Sequence, residues 1–460
     1  VINPDINRLS TVDFQFENTS FRSPPKPGNA LLIESGKEHG IEFKHQEDDK
    51  IDFNLQRTLP HKFTQSGPGI SVGDINGDGL DDLIIGGSTF YSHSSFLQQA
   101  NGTFINTQKV IRNEDKKEED EGLLLFDADG DSDLDLYVVS GSIENLQTTE
   151  PYQDRLYKND GKGKFLKDEK ALPGTKSSGS CVRAADYDAD GDLDLFVAGR
   201  VVPERYPLAP ESYLLKNDHG TFVNVTDEVC PELQNVGMIT DAIWTDFDND
   251  NDVDLVAVGE FTPIMFFKNT GKDFVRIKTD LDLQIGWWNS ITAGDYDSDG
   301  DMDYVAGNLG LNNNYQVTRQ YPLKVYAKDF DGNGSMDPLM ACYMRESMSS
   351  TEKKLYPVHF WDELNSQSPK FRNKFSRYSQ YSKATINDVL TAEDLKDAVI
   401  FEANQMATGY IENLGDGNFR LKQLPVLVQT APVNGLITHD VNDDGNPDLL
   451  VVGNDYGNEV

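Results

Sequence analysis

Seven short runs in this 460-residue chain place acidic or amide side chains at nearly every second residue. The first holds Asp74, Asn76, Asp78, Leu80 and Asp82, and the second Asp127, Asp129, Asp131, Asp133 and Asp135. Three full versions follow: Asp186, Asp188, Asp190, Asp192 and Asp194; Asp246, Asp248, Asp250, Asp252 and Asp254; Asp295, Asp297, Asp299, Asp301 and Asp303. The last two hold Asp329, Asp331, Asn333, Ser335 and Asp337, then Asp440, Asn442, Asp444, Asn446 and Asp448. A hard divalent ion of calcium's size takes six to eight oxygens at ~2.3–2.6 Å. A loop that curls around such an ion turns positions 1, 3, 5 and 9 inward and offers the backbone carbonyl of position 7, so Leu80 can stand there. Glycine at position 6 (Gly79, Gly191, Gly300, Gly334, Gly445) suits the sharp turn, with Ser132 and Asn251 in its place in two loops. So many carboxylates at bonding distance repel one another unless a cation sits between them. The spacing therefore predicts about seven Ca²⁺ ions. Magnesium demands a tighter octahedron and keeps its water. An EF-hand is excluded, because position 12 is Ile85, Val138, Val197, Met340 or Val451 rather than Glu.

The elements that position these loops read as strands. Each loop is followed by a short apolar, often β-branched run such as LIIGG, LYVVSG, LFVAG or LVAVG. Between loops lie aromatic hairpins of one design: RLYKNDGKGKF, YLLKNDHGTF, MFFKNTGKDF and YIENLGDGNF. Most loop starts are 49 to 60 residues apart, which suits one four-stranded blade per repeat. The expected fold is all-β: a seven-bladed β-propeller with its Asp-rich loops between the first two strands of each blade, plus a partly helical insertion. Residues 1–60 form an N-terminal segment that helps close the ring, through residues 14–18 or 41–45; residues 61–460 form the propeller, and the protein is expected to continue beyond them. Only 34 residues separate Asp295 from Asp329, so that blade is expected to be abbreviated. The 111 residues from Asp329 to Asp440 hold the insertion, at about residues 345–398. There Thr391 to Asp394 has capping-box spacing. Phe371, Phe375 and Tyr378 fall on one helical stripe among Lys370, Arg372, Lys374 and Arg377, a basic patch offered to a partner or to the propeller.

Composition narrows the functions. Hydrophobic content of 37% supports a packed core, and a net charge of −36 repels nucleic acid and anionic lipid. No apolar run is long enough to cross a membrane. Cys181, Cys230 and Cys342 read as isolated buried thiols. The G-x-S-x-G match at residues 69–73 runs straight into the first loop, not into the helix a nucleophile elbow requires. Trp287, Trp288 and Asn289 start the strand leading to Asp295, so they are expected near the channel mouth opposite the loops, either as a stacking platform for sugar or peptide or, for at least one Trp, as packing between blades.

The repeated loop resembles the FG-GAP/VCBS repeat of integrin-type and bacterial surface propellers. Residues 51–87 (IDFNLQRTLPHKFTQSGPGISVGDINGDGLDDLIIGG) and 323–340 (LKVYAKDFDGNGSMDPLM) resemble the cartilage-acidic-protein-like, ASPIC/UnbV-associated group, especially lipoprotein-like members from Bacteroidota. That resemblance implies a seven-bladed propeller, bound calcium, an extracytoplasmic setting and no catalytic activity. The expected function is a binding or scaffold module in a cell-surface, outer-membrane-associated complex, lipid-anchored outside this segment, with a protein partner or a glycan as ligand. The rival is a calcium-dependent polysaccharide lyase or hydrolase, or a carbohydrate-binding protein, which propellers also host.

Overall fold

The structure is a computed structural model that describes residues 32–145 and 148–454. Residues 14–18 lie outside that range, and residues 41–45 join no sheet.

Antiparallel four-stranded sheets dominate. The first comprises Ile70–Gly73, Asp82–Ile85, Ser94–Gln98 and Phe104–Gln108. The second comprises Asp120–Phe126, Asp135–Ser140, Arg155–Lys158 and Leu166–Lys167; the third, Gly179–Ala185, Asp194–Gly199, Tyr213–Asp218 and Thr221–Asn224. The fourth holds Met238–Thr245, Asp254–Thr262, Met265–Asn269 and Phe274–Ile277. In each, an Asp-rich loop joins the first two strands and closes them in register, as in Phe126 opposite Asp135 and Thr245 opposite Asp254. The first strands of successive sheets touch in series, ending at the hairpin Gly435–His439 and Asp448–Val452. This stacking explains the apolar runs. Asp135–Ser140, Asp194–Gly199 and Asp254–Thr262 are second strands buried along their whole length, because a neighbouring sheet covers each face. Leu195, Phe196, Leu255 and Phe267 are fully enclosed between sheets, each contributing about 1.5–3 kcal/mol. The architecture is all-β and consistent with a β-propeller.

The fifth sheet departs from the expected layout. Its inner pair, Gly286–Gly294 and Asp303–Asn308, is completed by Gly409–Asn413 and Phe419–Gln423, with Ala306 opposite Gly409. The sheet is therefore not abbreviated; its two hairpins are separated by residues 309–408. That whole span is the insertion, longer than 345–398, and it contains the sixth Asp-rich loop. The insertion builds its own sheet, ordered Lys353–Pro357, Asp337–Arg345, Leu323–Lys328, Val399–Ala403. The described residues thus form three four-stranded sheets, an eight-stranded sheet in which Gly286–Gly294 pairs with Asp254–Thr262 and so joins the fourth and fifth units, this separate inserted sheet and the two-stranded hairpin at 435–452.

The inserted sheet has two apolar faces, as strand alternation requires. Leu323, Val325, Met340, Cys342 and Ala403 pack on Leu59, Phe63, Tyr206, Phe261 and Trp287, at the end of the blades opposite the loops. Tyr326, Leu339 and Ala341 lie under Leu364, Phe371, Tyr381, Ile386 and Val389. The aromatic stripe expected on one helix is broken into short pieces, Pro369–Asn373 and Tyr378–Tyr381, and Phe371 and Tyr381 are core. Thr391 does cap a helix, Ala392–Leu395, by reciprocal bonds with Asp394. Leu59 and Phe63 pack at this end with the inserted sheet. Glu260 is buried and meets His61 at 3.1 Å, Arg200 at 2.7 Å and the Tyr206 hydroxyl at 2.5 Å.

Candidate metal centre

The loops are shaped before any ion is considered. In every loop the residues at positions 4 and 6 adopt the left-handed conformation, Gly77 and Gly79 in the first, Asn249 and Asn251 in the fourth. Ser132 accepts it at φ 73°. That double turn aims backbone N–H groups at the position-1 carboxylate. Asp74 accepts from Gly77 and Gly79 at 2.8 Å, Asp246 from Asp250 at 3.0 Å and Asn251 at 2.9 Å. Position 5 accepts the amide of position 7, as Asp190 does from Asp192.

Position 9 faces inward from the start of the second strand and is tied to the outer hairpin. Asp135, Asp194, Asp254 and Asp303 accept the backbone N–H of Asn159, Asn217, Asn269 and Asn413, at 2.7–2.8 Å. The same asparagines reach across to the preceding blade. Their Nδ2 groups donate to the carbonyls of Ile75, Ala128, Tyr187 and Phe247, each at position 2 of the neighbouring loop. These four asparagines are sheet-to-sheet latches that motif reading overlooked. Their signal was visible, as the N that follows the aromatic strand in all four outer hairpins. The Asn413 contact also identifies 409–423 as the outer half of the fifth blade.

What the loops leave undone is the informative part. Asp129 Oδ1, Asp133 Oδ1, Asp188 Oδ1, Asp194 Oδ2, Asp248 Oδ1, Asp295 Oδ1 and Asp301 Oδ1 are buried and have no hydrogen-bond partner. Donor atoms of Asp127, Asp129 and Asp131 lie within 4.8 Å of one another, as do those of Asp186, Asp188 and Asp194, and of Asp246, Asp248 and Asp250. An orphaned buried carboxylate oxygen costs several kcal/mol unless a cation or proton meets it. Burial, with the Asp188 and Asp190 charges beside it, pushes Asp194 up to about 7; burial and the Asp248 charge do the same to Asp254. An all-oxygen, flexible, crowded donor set fits calcium.

Lysines stand at three of these loops. Lys158 pairs with Asp129 at 2.8 Å, Lys216 with Asp188 and Asp190, and Lys268 with Asp248 and, at 2.7 Å, Asp250. Each directly precedes the latching asparagine, and at the fifth blade Glu412 takes that place.

The remaining sequence candidates separate. The 329–337 loop lies at the opposite end of the blades, where Met336 N donates to Glu204 O and Gln56 to Met336 O. Its position-9 Asp337 accepts from Gln367 of a helix rather than from a hairpin asparagine. Among the described residues, the 74, 329 and 440 loops show no orphaned buried carboxylate oxygen. Trp287 and Trp288 do not form an open platform. Trp287 is 4% exposed under the inserted sheet, Trp288 is 0% exposed with Nε1 donating to Thr262 O, and Asn289 is half-buried beside them. The insertion and residues 59–63 cover the surface these tryptophans were expected to offer. The three cysteines are buried free thiols.

No curated protein matches the chain in sequence. Among solved structures, BBS1N in complex with ARL6DN, soaked with lead, aligns at 9% identity and TM-score 0.35, over 85% of this chain and 91% of that one. The V. cholerae biofilm matrix protein Bap1 aligns at 10% identity and TM-score 0.31, over 86% and 78%. The GH43 β-1,3-galactosidase BT0265 aligns at 8% identity and TM-score 0.30, over 79% and 89%. Residues 74–138, 127–197 and 246–306 match the FG-GAP-like repeat, so the chain carries three such repeats, each running from one Asp-rich loop through the next and into the strand that follows it.

Proposed function

We propose that the Asp-rich loops bind calcium and that the protein is a non-catalytic, calcium-stabilised binding or scaffold module. The observation that carries this reading is the set of buried carboxylate oxygens without partners in the 127, 186, 246 and 295 loops. Each loop joins the inner strands of a blade, and position 9 is tied through asparagine to the next hairpin, so an ion there fixes blade edges rather than a substrate. Oxygen-only donors around a redox-inert ion suit that structural task. The repeat's likeness to surface propellers supports an extracytoplasmic setting, of the lipoprotein type, with a protein or glycan as the natural ligand.

The test is thermal melting of the full chain with excess calcium and with EGTA, alongside a count of bound ions. Binding to the native state alone contributes ~2.7 kcal/mol per site at a hundredfold excess over Kd. Several calcium ions per chain and a melting point many degrees higher with calcium are expected. Superimposable melts with no bound metal would overturn the assignment, and turnover of a polysaccharide by the full chain would overturn the non-catalytic reading.

A further inference from the structure

Away from the loops, three side chains with a different donor set converge at the other end of the blades. Glu119 immediately precedes the first strand of the second sheet, Asp120–Phe126, and His45 and Glu47 come from the irregular N-terminal segment. A donor atom from each lies within 4.8 Å of the other two. Glu119 is 3% exposed, while the side chains of His45 and Glu47 are 21% and 27% exposed, so solvent reaches the group through His45 and Glu47.

The backbone holds this group in place. Ser88 Oγ donates to Gln46 O at 2.7 Å, fixing the residue between His45 and Glu47 to the first blade. Thr89 N donates to Glu119 Oε2 at 2.6 Å. The neighbouring Glu144 is ion-paired with Lys50, and Glu121 accepts from Ser66, so those carboxylates are already engaged.

His45 Nε2 is the unexplained atom. It is buried and has no hydrogen-bond partner. Its nearest carboxylate oxygen, on Glu47, is 3.6 Å away, too long for a hydrogen bond. Two donors bound at ~2.0–2.1 Å to one tetrahedral ion are separated by roughly 3.3 Å, close to that spacing. Calcium takes oxygen, whereas one imidazole nitrogen with two carboxylates suits zinc.

We propose that His45, Glu47 and Glu119 form a zinc-type transition-metal site, chemically distinct from the Asp-rich loops, that ties the N-terminal segment to the first two blades. Water from the exposed side completes the coordination.

The full chain, stripped with EDTA and returned to saturating calcium, should be titrated with Zn²⁺ by calorimetry. One equivalent of zinc that calcium does not displace is expected. His45→Ala and Glu47→Gln should each weaken it at least about tenfold, as loss of a ligand must exceed the loss of an outer-shell partner. His219→Ala serves as control, because His219 sits with Asp192 and Asp218 in a separate, more exposed cluster and should change nothing. Co²⁺ in place of zinc should give visible absorption that disappears in His45→Ala. Glu47→Gln alters a half-exposed residue and decides the matter if His45→Ala does not fold. Zinc binding unchanged in Glu47→Gln, abolished by calcium, or lost in His219→Ala instead would overturn the proposal.

Discussion

Lys158, Lys216 and Lys268 set up a direct competition between an ammonium and the ion proposed for each loop. Lys268 Nζ lies 2.7 Å from Asp250 Oδ2. A calcium ion on that oxygen would stand about 2.4 Å to its other side, placing the two cations about 5 Å apart. A single and a double charge at that separation repel by about 1.7 kcal/mol in bulk water, and salt trims this to about 1 kcal/mol. The bulk-water value is a lower bound, because the Lys268 side chain is only 31% exposed. Replacing all three lysines by Met keeps the aliphatic stems and removes the charges. Calorimetric titration of the EGTA-stripped variant should show three sites tightened roughly fivefold to tenfold. The unliganded variant should melt lower than the parent, because its carboxylates lose the lysine counter-charge, and gain more on adding calcium. The 295 loop, flanked by Glu412 instead of lysine, should fill first and be indifferent to the substitutions. Weaker calcium binding in the triple variant would show that the lysines shape the loops rather than oppose the ion.

Asn269→Ala strips two carbonyls, those of Tyr187 and Val253, of their donor and should cost about 1–3 kcal/mol, read as a lower melting point with or without calcium. Calcium affinity should be greatest above pH 7 and fall on acidification toward pH 5, with proton release on binding, because Asp194 and Asp254 must give up protons held at about 7 in the ion-free loops. At the opposite end, burial pushes Glu260 up, but the His61 and Arg200 charges and hydrogen bonds from His61 and Tyr206 outweigh it and hold the carboxyl at about 2. Its folded value is therefore depressed, so its stabilisation is present above about pH 4.5 and is lost as pH falls toward 2. Glu260→Gln should cost about 3–5 kcal/mol at neutral pH by leaving Arg200 and His61 unpaired, and should flatten that acid limb in pH-dependent melts.

The part of this fold that sequence reveals is the part made of local, repeated geometry. Alternating acids, the turn at position 6 and the apolar strand that follows are all short-range, and Asp186 to Asp194 states them within nine residues. Spatial order is another matter. Nothing local distinguishes the strand after Asp303 from its counterparts, yet its partner is Gly409–Asn413, a hundred residues on. A loop of the same sequence type, 329–337, consequently sits on a different sheet. Trp287 and Trp288 pack instead of facing a ligand for a related reason: which end of a strand is open depends on what covers it, and the cover is the insertion. That cover gives the insertion a definite energetic role. Removing residues 309–408 leaves Asn308 and Gly409 close enough for a short turn, since Ala306 already pairs with Gly409. The cut would nonetheless bare Leu59, Phe63, Val201, Tyr206, Phe261 and Trp287 at once. At about 1.5–3 kcal/mol for each large side chain, the loss approaches the 5–15 kcal/mol that holds a domain together. The deletion variant should therefore be dye-binding and aggregation-prone, with calcium raising its melting point only partway. A monomeric deletion variant with unchanged near-ultraviolet circular dichroism and normal calcium stoichiometry would refute that role and show that the blades close without their cover.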